Sequence, residues 1–174
     1  WISPARELLP LRDTALQHAK TLRREQRLVL HWGMTMAAYP FWYQVAGQVG
    51  RLLNLQDTIT QNQVRLRIFE AMGERSTVER SARRVVRSFV AWGVLRDTDV
   101  NGCYKKASPL AIVDHELTVF LFEAALHAIP ESRSPLKSIY NNPAFFLFQL
   151  SNLSGDNIAY LCNNLEIIRY GLND

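Results

Sequence analysis

Apolar residues recur at helical spacing along most of the chain, and the runs are broken at Pro, Gly and small polar residues. Trp1 to Leu11 reads as a short amphipathic helix, with Ser3 as cap, Pro4 at its first position and Pro10 at its end. Asp13 to Ala38 reads as one long helix whose second half, from Leu28, is apolar nearly all round and therefore buried. Pro40 starts a helix to about Gln56 with Trp42, Val45, Ala46, Val49, Leu52 and Leu53 inward. Gly47 and Gly50 in this helix cost helix propensity and allow close packing of a neighbouring helix. Thr60 to Met72 places Val64, Ile68, Phe69 and Met72 on one side, with Thr60 and Gln63 spaced as a capping box.

Ser76 to Trp92 carries the sharpest division. Val78, Ala82, Val85, Val86, Phe89 and Val90 gather on one side of a helix. The other side holds Thr77, Arg80, Ser81, Arg84 and Arg87, with Arg83 on the flank. Ser76 and Glu79 are spaced as a capping box, so this acid has a local job. Gly73-Glu74-Arg75 is a turn between this helix and the one before it. After Gly93, two β-capable runs, Val94 to Thr98 and Cys103 to Ala107, flank Asp99-Val100-Asn101-Gly102, whose Asn-Gly is a hairpin signal because both residues tolerate positive φ. Beyond Ser108-Pro109, helices are expected at Val113 to Ile129, over a turn or two at Leu136 to Asn141, and from Asn157 to Tyr170 with Gly171 as C-terminal cap. Ser154-Gly155-Asp156 supplies a turn and cap before the last of these. Ala144 to Asn152 fits a buried helix or a strand equally well.

Helix, Gly turn, basic helix, Gly, then a hairpin with two lysines resembles the winged helix-turn-helix superfamily of DNA-binding domains. The likeness spans about residues 39–107 and rests on Ser76-Thr77-Val78, Arg80, Arg83 and the run Trp92-Gly93-Val94-Leu95. The fold class expected is mainly α, a helical domain containing a winged helix-turn-helix with a small β-hairpin wing. The chain then reads as an N-terminal helical segment (1–38), the winged unit (39–107) and an acidic C-terminal helical region (108–174), together expected to form one compact unit.

Charge sharpens this division. The net +4 is the balance of +3 over residues 1–59, +5 over 60–107 and −4 over 108–174. Positive charge peaks at the proposed helix-turn-helix, whereas the C-terminal third would be repelled by a polyanion. Nearly half of the residues are apolar, enough for a sizeable core. No apolar run approaches the ~20 residues of a membrane span, and no signal peptide is evident at the N-terminus. Two cysteines, Cys103 and Cys162, do not make a disulfide framework, so a cytoplasmic protein with reduced thiols is expected.

Enzyme chemistry finds no support in these motifs. His18, His31, His115 and His127 lack second ligands at metal spacing. Asp114-His115-Glu116 are adjacent and point different ways on a helix. No nucleophile elbow or phosphate-cradling loop is present. No catalytic residue, metal site or cofactor is expected. For double-stranded DNA the roles can be assigned. Arg80 and Arg84 suit base edges in the major groove, and Thr77 and Ser81 bases or phosphate. Arg75, Arg83 and Arg87 suit phosphate contacts, and Lys105 and Lys106 the backbone or minor groove beside them. Asn62, Gln63 and Arg65 are candidates for further backbone contacts, and the basic cluster Arg23-Arg24-Arg27 for phosphate or a solvated face. The apolar, acidic C-terminal region suits a homodimer interface or the docking of another protein subunit. A regulator of transcription and the DNA-recognising subunit of a defence or genome-maintenance complex would share these features. RNA in place of DNA stays open. The competing class is a winged-helix interaction scaffold that touches no nucleic acid; five arginines about the basic helix favour DNA.

Overall fold

The computed structural model describes residues 2–169. In chain order the elements are α1 (Leu9–Thr21), α2 (Leu28–Ala38), α3 (Pro40–Leu53), β1 (Thr58–Thr60), α4 (Gln61–Met72), α5 (Ser76–Ala91), β2 (Leu95–Asp97) and β3 (Cys103–Lys106), followed by β4 (Leu110–Ile112), α6 (His115–His127), α7 (Leu136–Tyr140), β5 (Phe148–Leu150) and α8 (Gly155–Leu161). The fold is mainly helical with small sheets, as the periodicity predicts. Among the described residues no helix is long and apolar enough to cross a membrane.

The chain divides into two compact units. The first draws on Trp1–Ala38, Ile112–Ile139 and Leu150–Asp174. Its core is built by Leu11 and Ala15 of α1, Leu30, Trp32 and Met36 of α2, Phe120, Leu121 and Ala124 of α6, and Ile158 of α8. A Cβ added at Gly33 would stand 2.5 Å from the Phe120 ring, so this glycine lets α2 lie close to α6. The all-round apolar pattern of α2 is thereby explained.

The second unit comprises Tyr39–Ala111 and Tyr140–Gln149; the sequence reading leaves the latter segment in the C-terminal region. Trp42, Val45, Ala46 and Val49 of α3 meet Val64 and Ile68 of α4 and Ala82, Val86 and Phe89 of α5 in one core. Trp42 and Phe89 pack edge to face at 5.1 Å, and Phe89 meets Phe146 at 6.0 Å, an arrangement that suits the aromatic quadrupoles. At Gly50 an added Cβ would fall 1.8 Å from the Pro143 carbonyl oxygen. The close approach expected of this helix is therefore real at Gly50; Gly47 meets only the tip of Arg51, at 3.9 Å. Strands β1, β3 and β2 form an antiparallel sheet in that spatial order. β1 is an element the periodicity missed; its single buried residue is Ile59, opposite Tyr104.

Several boundaries differ from expectation, each for a local reason. The long helix over Asp13–Ala38 is interrupted. Leu22 and Arg23 take extended ψ angles of 137° and 155°, and residues Arg24–Arg27 form a 3-10 turn. Side chains replace the lost ladder there: Arg27 Nε donates to the Leu22 carbonyl at 3.0 Å, and the Arg23 amide to Gln26 Oε1 at 3.3 Å. Pro10 does not end a helix but sits in the first turn of α1, where its missing N–H costs nothing. Ser3-Pro4 does not cap; the first turn spans Arg6–Leu8, with Ala5 before it.

The Thr60–Gln63 capping box forms, with Gln63 N donating to Thr60 Oγ1 at 3.1 Å and Thr60 N to Gln63 Oε1 at 2.7 Å. The Ser76–Glu79 box does not. Arg75 takes the extended N-cap backbone, and Ser76 becomes the first helical residue, one place past the cap. The hairpin expected about Asp99–Gly102 forms, with β2 and β3 antiparallel. The link runs from Thr98 to Gly102; only Gly102 has positive φ (+72°), and Thr98 Oγ1 accepts from the Val100 amide at 3.2 Å. The ambiguous Ala144–Asn152 stretch resolves into a 3-10 turn at Pro143–Phe145 and strand β5. Ser154 caps α8 as expected, but α8 ends at Leu161. Residues Tyr170 and Gly171, assigned to a longer helix and its cap, lie outside the described residues.

Candidate nucleic-acid interface

The local physics of α4 and α5 fixes which arginines face outward. Gly73, at φ +82°, turns the chain out of α4. Ala82, Val86 and Phe89 then anchor α5 by full burial, each large apolar side chain contributing about 1.5–3 kcal/mol on transfer from water. Arg80, Arg84 and Arg87 therefore follow one another along the outward stripe, with Arg83 beside them, and all four are exposed. Thr77 is exposed and Ser81 half-buried. Arg80, Arg83 and Arg84 form no ion pair with any acid among the described residues.

Arg87 differs. Its Nη1 donates to both carboxylate oxygens of Asp97 on β2, at 2.8 and 3.1 Å. This hydrogen bond, then the Asp97 charge, raises the guanidinium pKa above its ordinary value. Arg75 is exposed and spends one donor on the Met72 carbonyl at 3.3 Å, where α4 ends. Arg65 is held twice, by two hydrogen bonds to Asn62 Oδ1 (2.8 and 3.1 Å) and by stacking on Phe69, 5.0 Å from guanidinium to ring centre.

The two lysines of β3 do not act alike. Successive strand residues alternate between faces. Lys106 is half-buried opposite Leu95, on the face that carries Tyr104. Lys105 is exposed on the other face, paired with Thr58 on one side and Arg96 on the other. Arg96 is a basic residue that the sequence reading does not assign. The signal available was register alone, and register becomes visible only when β2 and β3 are aligned.

The first unit treats its polar groups differently. Glu123, on α6, is 4% exposed and accepts from Asn164 Nδ2 at 2.9 Å and Cys162 Sγ at 3.6 Å. Burial pushes the Cys162 thiol pKa up, and the Glu123 carboxylate adds to the effect. Thr118 Oγ1 and Ser151 Oγ share a hydrogen bond of 2.9 Å. Both cysteines are free, and no group of three potential metal ligands occurs among the described residues. Compared with protein-family models, with curated proteins and with solved structures, the chain gives no match.

Proposed function

We propose that residues 39–107 are a winged helix-turn-helix and that the chain is a non-enzymatic protein binding double-stranded DNA through α5 and the β2–β3 wing. The observation that carries the reading is the set of three exposed arginines on α5, Arg80, Arg83 and Arg84, with no ion pair among the described residues, opposite a fully buried stripe. The element order α3, β1, α4, α5, β2, β3 and the sheet order β1-β3-β2 support it. In this reading α5 enters the major groove. Arg80 and Arg84 meet base edges, Thr77 and Ser81 assist, and Arg75 and Arg83 hold phosphates. Arg87 joins them by exchanging Asp97 for a phosphate. Lys105 and Lys106 reach the backbone from different sides of the wing. The C-terminal region then serves a second copy or another subunit of a cytoplasmic regulatory, defence or genome-maintenance assembly.

The test is fluorescence anisotropy with a labelled duplex, comparing the wild type with an Arg80→Ala, Arg84→Ala variant that keeps its helical circular dichroism. The variant is expected to lose sequence preference and most affinity. Equal binding by variant and wild type would overturn the role of α5, and absence of wild-type binding at low salt would favour the protein-scaffold alternative.

A further inference from the structure

The break between α1 and α2 gathers cations outside the winged unit. Lys20, Arg23, Arg24 and Arg27 stand close together in the first unit, and Glu25 is the acid among them. In an unbroken helix these four would lie at i, i+3, i+4 and i+7, a stripe of like charge that disfavours the helix. The chain instead leaves the helix at Leu22 and Arg23 and makes a 3-10 turn over Arg24–Arg27. Side chains three apart in such a turn eclipse one another, so Arg24 and Arg27 are held on the same side. The corner is tied by its backbone. The Leu22 amide donates to the His18 carbonyl and the Gln26 amide to the Arg23 carbonyl, both at 3.0 Å. Arg27 spends Nε on the Leu22 carbonyl at 3.0 Å and keeps its Nη donors for an outside acceptor. Lys20 has local work in the last turn of α1, where it donates to Gln17 Oε1 at 2.7 Å and suits the helix dipole. Arg23, Arg24 and Arg27 are exposed, and neither they nor Glu25 form an ion pair among the described residues.

We infer that the corner formed by Arg23, Arg24 and Arg27 is a separate anion-binding site, outside the winged unit, that takes backbone phosphates of the nucleic acid. The inference rests on the DNA-binding reading and extends it to the first unit. Guanidinium offers forked donors that match phosphate oxygens. A lipid surface fits less well. Segments that lie on a membrane add an exposed apolar face to their cations, whereas no large hydrophobic residue between Lys20 and Arg27 is exposed, and Leu22 is half-buried. Contacts of this kind anchor a duplex without reading its sequence, so sequence preference stays with α5.

The experiment uses the whole chain and a labelled duplex titrated over a salt series. Each phosphate contact contributes roughly 0.9 to the slope of log affinity against log salt. An Arg23→Gln, Arg24→Gln variant keeps Arg27, whose bond to the Leu22 carbonyl holds the corner. It is expected to bind with a slope shallower by about two units, and to weaken equally for two unrelated duplex sequences. Arg24→Gln alone, which leaves every hydrogen bond of the corner in place, is expected to lower the slope by about one unit. Arg133→Gln, Lys137→Gln removes the same charge from two other exposed residues of the first unit and is expected to keep the wild-type slope. An equal loss in this control overturns the site, because net charge alone then accounts for it. A wild-type slope for both corner variants, while Arg80→Ala, Arg84→Ala loses binding, also overturns the site and leaves the DNA-binding reading standing. If the corner variants keep the wild-type slope but lose flotation with phosphatidylserine–phosphatidylcholine vesicles that carry the wild type, the corner serves a lipid surface and the inference falls. Failure of the wild type to bind duplex at low salt overturns both readings.

Discussion

The two units differ in net charge and in where their exposed cations stand. By sequence the unit containing α3 to β3 carries +5 of the chain's net +4, and the other carries −1. In the less charged unit some polar groups find partners at home, although Arg6, Lys20, Arg23, Arg24, Arg27, Arg133 and Lys137 are exposed with no ion pair among the described residues. Glu123 is buried against Asn164 and Cys162, Arg12 pairs with Asp13 at 2.6 Å, Arg169 pairs with Asp156, and His18 lies 3.9 Å from Glu116. In the basic unit the cations outnumber the acids, and Arg80, Arg83, Arg84, Arg96 and Lys105 are left exposed with no ion pair among the described residues. Internal pairing serves the fold of the chain itself. Unpaired charge of one sign, held on one helix and one strand pair, is what an external polyanion would complete.

The comparison can be broken or sharpened by four changes. The largest effect is expected from Gly50→Ala. The added methyl would collide with the Pro143 carbonyl oxygen, 1.8 Å away, and both partners are backbone. A loss of about 3 kcal/mol or more in denaturant unfolding is expected, and a loss below about 1 kcal/mol would show that the Pro143 segment packs elsewhere. Next is Glu123→Ala, which removes the acceptor shared by the exposed Asn164 amide and the half-buried Cys162 thiol and leaves a gap at a position only 4% exposed. It should cost about 1–3 kcal/mol, measured in the same way. A neutral or stabilising result would mean that the buried acid is not held by its partners.

Asp97→Asn acts on the basic unit in the opposite sense. It removes the charge that holds Arg87, so duplex affinity should rise and the salt slope should steepen by about one unit. Weaker binding would show instead that the pair orients the β2–β3 hairpin for contact. The smallest effect concerns Cys162. A raised thiol pKa keeps the neutral, unreactive form. On a Cys103→Ser background, iodoacetamide labelling of Cys162 should climb with pH to a midpoint above 9.0. The sign for stability follows. The unfolded chain loses this proton first, so any stabilisation present below the unfolded pKa declines as pH rises towards the folded one. A labelling midpoint below 9.0 would contradict the burial of this thiol.

Much of this arrangement was legible in the residues, and the limits are physical. Helices with one apolar stripe, α3, α4 and α5, stand close to where periodicity predicts them, because their burial is a one-dimensional pattern, and so does α6, which is buried all round from Leu117 to Ala125. The Thr60 and Ser154 caps were legible for the same reason. The break at Leu22–Arg23 was not, since it depends on Arg27 and Gln26 reaching back to backbone groups. Nor was β1, whose three residues are too short for any period. At the site, sequence identified the outward arginines of α5 but not that Arg87 is engaged by Asp97, ten residues on. It grouped Lys105 with Lys106, which a strand sends to opposite faces, and passed over Arg96, whose partner is set by register.

The most direct test of the central claim is the affinity of the unmodified chain for a labelled DNA duplex, measured by anisotropy between low and physiological salt. The account predicts binding at low salt whose logarithm falls linearly with log salt concentration. No binding at low salt, or binding indifferent to salt, would contradict it and turn attention to a protein partner for the exposed arginines of α5.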